Sequence, residues 1–179
     1  MAYKEETRHE GRETMNRVAI CAGLLCGMVN AGFAQQPSAN NDSAVCTFQD
    51  GKQVSVLYTE ESTAGQELPA GKLWTPGKTP MLLFTEAALS VGNSEIPIGA
   101  YSMYFIPQKD SWTLVLNKNV TAGSKYDEHQ DLLRVPMQIG QVSEPDKQFR
   151  VLFGRLSPKV CSLRMYFGKT GSWLEFQEK

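Results

Sequence analysis

Between Gly99 and Asn117 the chain alternates apolar side chains twice in succession. Tyr101, Met103 and Phe105 fall on one face of an extended segment, and Ser102, Tyr104 and Ile106 fall on the other. After a five-residue turn, Trp112, Leu114 and Leu116 repeat the alternation against Thr113 and Val115. Successive side chains of a strand point to opposite faces, so the spacing predicts a hairpin within Glu95 to Lys118, with those six residues on its inner face. Apolar groups occur on both faces, which places this hairpin in the middle of its sheet.

The same period recurs along the chain. Cys46 to Phe48 leads through an Asp50-Gly51 turn into Val54, Val56 and Tyr58, a first hairpin. Met81 to Thr85 and Leu89 to Val91 read as strands, followed by a Gly92-Asn93-Ser94 turn. Tyr126 to Arg134 reads as a helical turn. Val135, Met137 and Ile139 alternate around Pro136, the mark of an edge strand or a bulge. Phe149 to Phe153, Cys161 to Phe167 and Trp173 to Gln177 complete the set, with a closing turn at Lys169-Thr170-Gly171. About nine strands, frequent turn signals and no long amphipathic helix predict an all-β domain, an antiparallel β-sandwich or jelly roll.

Two stretches break the pattern. Residues 59–80 carry Pro69, Pro76 and Pro80 with Gly65, Gly71 and Gly77, and Asn117 to Lys125 is polar. Loops of that length in a compact domain are commonly functional. The first holds Trp74 and Lys78; the segment after the second holds Tyr126, Asp127, Asp131 and Arg134. An aromatic platform flanked by hydrogen-bonding groups suits a carbohydrate or peptide ligand. A structural reading stands beside it: Trp74 folds back as a plug over the core, and Asp131 pairs with Arg134 three residues on.

The N-terminus changes the picture of where this domain works. Met1 to Thr14 is charged and aperiodic, an over-extended start or an unusually long n-region. Arg17 then precedes an apolar run from Val18 to Val29 that is too short to span a bilayer. Gly32 and Ala34 supply the small residues of a cleavage site, so residues 1–34 read as an extension plus signal peptide, with the mature chain starting at Gln35. The polar stretch 35–43 reads as a tether and 44–179 as one β domain, placed in the periplasm or outside the cell with no membrane segment left after cleavage. Cleavage removes Cys21 and Cys26. The remaining pair, Cys46 and Cys161, predicts a disulfide worth on the order of 4 kcal/mol.

Composition mainly excludes. The formal net charge is −1, and the removed segment takes equal numbers of acids and bases with it, so nothing steers toward nucleic acid. His129 is the one histidine left after cleavage, and no nucleophile elbow, phosphate loop or metal-ligand spacing accompanies it. No cofactor and no metal are expected. Asp127, His129 and Asp131 at alternate positions read as solvated groups rather than ligands.

The run Ile96-Pro97-Ile98-Gly99-Ala100-Tyr101-Ser102, then Phe105-Ile106-Pro107, Trp112-Thr113-Leu114-Val115-Leu116-Asn117 and Tyr126-Asp127 through Asp131 to Arg134 resembles a bacterial secreted family catalogued as domain of unknown function 2911. The resemblance covers about Cys46 to Phe176 and implies an exported β-rich domain with no assigned activity. Many members carry Trp-Arg-Thr-Gly-Ala-Asn in the long loop. Here the run is Trp74-Thr75-Pro76-Gly77-Lys78-Thr79, so the arginine and asparagine are replaced while Trp74 and Gly77 remain. The leading expectation is an exported non-catalytic binding or envelope-associated domain. A periplasmic hydrolase using His129 or an aspartate as base, and a structural partner protein, stay open as alternatives.

Overall fold

The computed structural model describes residues 41–179; the expected signal peptide, its expected cleavage point and the first part of the expected tether lie outside the described residues. Nine strands follow one another: β1 (Asn41–Thr47), β2 (Gln53–Thr59), β3 (Met81–Thr85), β4 (Leu89–Val91), β5 (Ser94–Ile96), β6 (Gly99–Pro107), β7 (Trp112–Asn117), β8 (Asp131–Ser157) and β9 (Val160–Glu178). They form one sheet in the order β1-β2-β3-β6-β7-β8-β9-β4-β5, and every pairing is antiparallel. The all-β antiparallel class is therefore as the spacing predicts.

The hairpin β6–β7 sits in the middle of this order and pairs Phe105 with Leu114 and Met103 with Leu116. All six residues expected on its inner face are buried in the core, Tyr101 being the most exposed at 7%. The other face is closed as well: Ser102, Tyr104, Val115 and Asn117 are all buried.

The disulfide joins Cys46 on β1 to Cys161 on β9, with a Cα–Cα distance of 6.2 Å. These strands are first and seventh in the sheet order, and a flat sheet would hold them roughly 29 Å apart at about 4.8 Å per strand. The sheet therefore curls until its β1 edge meets β9, and one core fills the inside. Both cysteines share the inward phase of their strands, next to Phe48 on one side and Leu163 and Met165 on the other.

Several boundaries differ from those read off the pattern. Asn41, Asp42 and Ser43, assigned to the tether by composition, belong to β1 and pair with Thr59, Tyr58 and Leu57. Strand pairing satisfies their backbone groups whatever their polarity, and the Tyr58 hydroxyl donates to Asp42 at 2.7 Å. Val135–Ile139 and Phe149–Phe153 are parts of one strand, β8, which turns from β7 to β9 between Met137 and Gln138. Pro136 faces β7 in the stretch of β8 that has no β9 partner, so its missing N–H leaves no ladder bond open.

The closing turn at Lys169-Thr170-Gly171 does not exist. β9 runs through it, Gly171 pairs with Gly140, and the hairpin turns instead between Ser157 and Val160. Glycine here marks a bulge and a close approach rather than a turn. Between the pairs Gln141–Thr170 and Asp146–Gly168 the register slips by three residues, with Gly168 at φ 57°, and the Trp173 ring lies on Gly140 where a Cβ would meet it at 3.0 Å.

Candidate functional site

The loop between β2 and β3 is drawn back onto β6. Trp74 N–H donates to the Phe105 carbonyl at 2.7 Å and Phe105 N–H returns a bond to the Trp74 carbonyl at 3.0 Å, a single bridge beyond the end of β3. Residues paired across an antiparallel bridge send their side chains to the same face, so Trp74 points inward with Phe105. Its ring meets Phe167 at 5.3 Å, Trp112 at 5.6 Å, Phe149 at 6.0 Å and Phe105 at 6.3 Å, all edge to face. Trp74 is a half-buried plug in an aromatic cluster.

Two residues later the chain enters a 3-10 turn, Pro76–Lys78, in which Gly77 and Lys78 both adopt positive φ, 69° and 63°. Glycine is required at 77 on two counts, because a Cβ there would also stand 2.7 Å from the Thr59 Cβ. Lys78 is exposed, and its side chain bonds to none of Tyr126, Asp127, Asp131 or Arg134.

Those four residues do come together, on the opposite face of β6. Tyr126 packs edge to face on Tyr104 with ring centres 4.9 Å apart, and its hydroxyl donates to Asp131 Oδ2 at 2.7 Å. Arg134 donates through Nε to the same oxygen at 2.8 Å and through Nη2 to the Tyr126 hydroxyl at 2.6 Å. Asn117 Nδ2 reaches both the other Asp131 oxygen and the Asp127 carbonyl at 2.8 Å. Asp127 caps the short turn Glu128–Gln130, accepting from His129 N–H at 3.0 Å and Gln130 Nε2 at 3.1 Å.

The helical turn is thus confined to three residues; Asp131 and Arg134 already lie on β8, with Arg134 opposite Val115. Burial, and then the bond to Asp131, push the Tyr126 phenol up to about 12. The bonds from Gln130 and His129 hold the Asp127 carboxyl below its ordinary value. Asp131 uses three acceptor positions on Tyr126, Arg134 and Asn117, inside the cluster rather than toward a ligand. The cluster acts as a clamp that holds the segment 118–130 over the outer face of the central hairpin.

The sheet separates the two halves of the expected surface. Trp74 lies on the inner side of β6 and Tyr126 on the outer side, so these two do not build one platform. The long loops nevertheless meet through other residues. Thr79 and Pro80 from the first, Val120 to Gly123 from the second, and Leu82 and Ser102 from the strands below line a hollow of about 170 Å³. It adjoins a second of about 320 Å³ that shares Thr79, Pro80, Leu82 and Ala122 and extends to Asn41, Leu57, Tyr58 and Thr59. These residues are small or uncharged, and the one sequence signal that those of the two loops carry is membership of the two irregular segments.

His129 is exposed, and it is its backbone N–H that bonds to Asp127. Among the described residues no group of three or more His, Cys, Asp or Glu is placed to hold a metal, and no helix is long and apolar enough to cross a membrane. A family described as protein of unknown function (DUF2911) matches residues 40–176. No curated protein and no solved structure matches the chain.

Proposed function

The chain belongs to the DUF2911 family of proteins of unknown function, and from that premise we propose that its β domain is an exported, non-catalytic binding module for an uncharged, extended peptide segment. The reading is carried by the double hollow between the two long loops, which no charged side chain lines. Leu57, Pro80, Leu82, Val120 and Ala122 make it apolar, and of the hydroxyl-bearing residues that line it Thr59 and Thr79 are bonded to each other and Ser102 donates to the Asn119 carbonyl. The surrounding face is unusually apolar for an exposed one: Leu57 is 37% exposed, Phe84 41%, Val120 42% and Val45 49%.

Peptide is favoured over carbohydrate because the one aromatic ring that lines the hollows is Tyr58, Phe84 standing outside them. Tyr58 is buried and its hydroxyl is already bound to Asp42. Export fits the disulfide, which persists in oxidising compartments.

The test is fluorescence anisotropy of the purified domain against short uncharged peptides rich in Val, Ile and Ala, with a glycan panel alongside. Saturable peptide binding is expected, and Ala122→Asp, which sets a charge in an exposed apolar wall, should abolish it without moving the melting temperature. Glycan binding without peptide binding, or an unaltered affinity in Ala122→Asp, overturns the reading.

A further inference from the structure

A separate hollow, of about 370 Å³, lies where the β1–β2 turn, the β8–β9 turn and the end of β9 converge, lined by Gln49, Asp50, Lys52, Lys159, Glu178 and Lys179. Backbone bonds tie its walls together: Gln49 N–H donates to the Pro158 carbonyl at 3.0 Å and Glu178 N–H to the Lys159 carbonyl at 2.8 Å. Glu178 continues the inward phase of Leu174 and Phe176, a position where an apolar side chain would be ordinary. It is only 5% exposed, and its Oε1 has no hydrogen-bond partner. The Lys52 ammonium stands 3.8 Å away, too far for a hydrogen bond.

An unmet buried acceptor is destabilising, so a carboxylate kept at this place calls for a donor. The neighbouring cations are unequally engaged. Lys52 is bonded to Asp50 and Lys179 to Glu95, whereas Lys159, exposed on the β8–β9 turn, has no ion pair among the described residues. The hollow therefore holds one carboxylate oxygen without a hydrogen-bond donor, its nearest cation the Lys52 ammonium at 3.8 Å, and one ammonium without an ion pair among the described residues.

We propose that this hollow is a binding site for a small zwitterion, a free α-amino acid, whose ammonium donates to Glu178 Oε1 and whose carboxylate is held by Lys159 with Lys52 beside it. A lone anion would be set against Glu178 and Asp50, and a lone amine would be set against Lys52 and Lys159. A ligand carrying both charges satisfies both ends, and an α-amino acid is small enough for a hollow of this size. The site shares no residue with the groove between the long loops, so each stands or falls by itself.

Amide chemical shifts of the full chain, titrated separately with L-alanine, acetate and methylammonium, test the proposal. L-Alanine is expected to give saturable shifts at Gln49, Lys52, Lys159 and Glu178. Acetate and methylammonium should each bind at least about tenfold more weakly, as should L-alanine to Glu178→Gln or Lys159→Ala, since each removes one charge-assisted bond. Thermal melts verify that both variants fold; if the buried Glu178→Gln does not, the exposed Lys159→Ala carries the test. Absence of saturable shifts, equal binding of acetate, or unchanged L-alanine affinity in a folded variant overturns the proposal.

Discussion

Trp74 and Tyr126 are the large aromatics of the two long loops, and both are fastened to β6, yet they act on opposite sides of it. Trp74 enters from the inner side, through a backbone bridge to Phe105, and surrounds itself with four other aromatic rings. Tyr126 stays on the outer side, packed edge to face on Tyr104 and held through its hydroxyl by Asp131 and Arg134. The difference teaches how this domain fixes irregular segments: one by burying an apolar ring, the other by saturating a carboxylate. The first mode gains mainly from removing apolar surface from water, the second from a few charge-assisted bonds of modest net worth.

The comparison makes ordered demands. Phe105 anchors the inner side, fully buried in the core and bridged to Trp74. Phe105→Ala should lower the unfolding free energy by about 3–5 kcal/mol in urea titrations. A loss under about 1 kcal/mol would mean that the inner face has been misassigned, because a one-residue slip turns the whole set outward.

Trp74→Ala comes next, with an expected loss of about 2–4 kcal/mol because its ring is half-buried. Hydrogen exchange in residues 118–130 should stay as it was. If that segment loosens as much as residues 60–80 do, the two loops are coupled and the division made by the sheet is wrong.

Tyr126→Phe is the smallest of the three, about 1 kcal/mol, since Asp131 keeps its bonds to Arg134 and Asn117. It also carries a pH signature. The phenol's folded value is raised to about 12 from an unfolded value of about 10, so the stability it contributes is full below about pH 10 and is lost as pH climbs through about 12. Tyr58, likewise pushed up to about 12, titrates in the same window. The difference between wild type and Tyr126→Phe isolates Tyr126: the two stabilities should converge on that climb, and a constant gap would remove the hydroxyl from the clamp.

Among these residues the local pattern carried a great deal. The alternation in Gly99–Asn117 specified the central hairpin, its inner face and its place in the sheet, because a period of two leaves only two faces to choose between and apolar burial selects one. The shared inward phase of Cys46 and Cys161 likewise anticipated a bond that the curled sheet closes. The pairing of Asp131 with Arg134 was legible from their spacing, though strand geometry and not a helical turn brings them together.

Only the tertiary structure decided the rest. Whether Lys169-Thr170-Gly171 turns or runs straight depends on Gly140 and Trp173 across the ladder, residues far away in sequence. Whether Trp74 faces solvent or core depends on which residue of β6 its loop bridges, Phe105 or a neighbour of opposite phase, and local propensity holds no information about that. The groove and the Glu178 hollow were unreadable for the same reason: each is assembled from segments whose meeting is set by the closure of the sheet, while the residues themselves look ordinary in their own neighbourhoods.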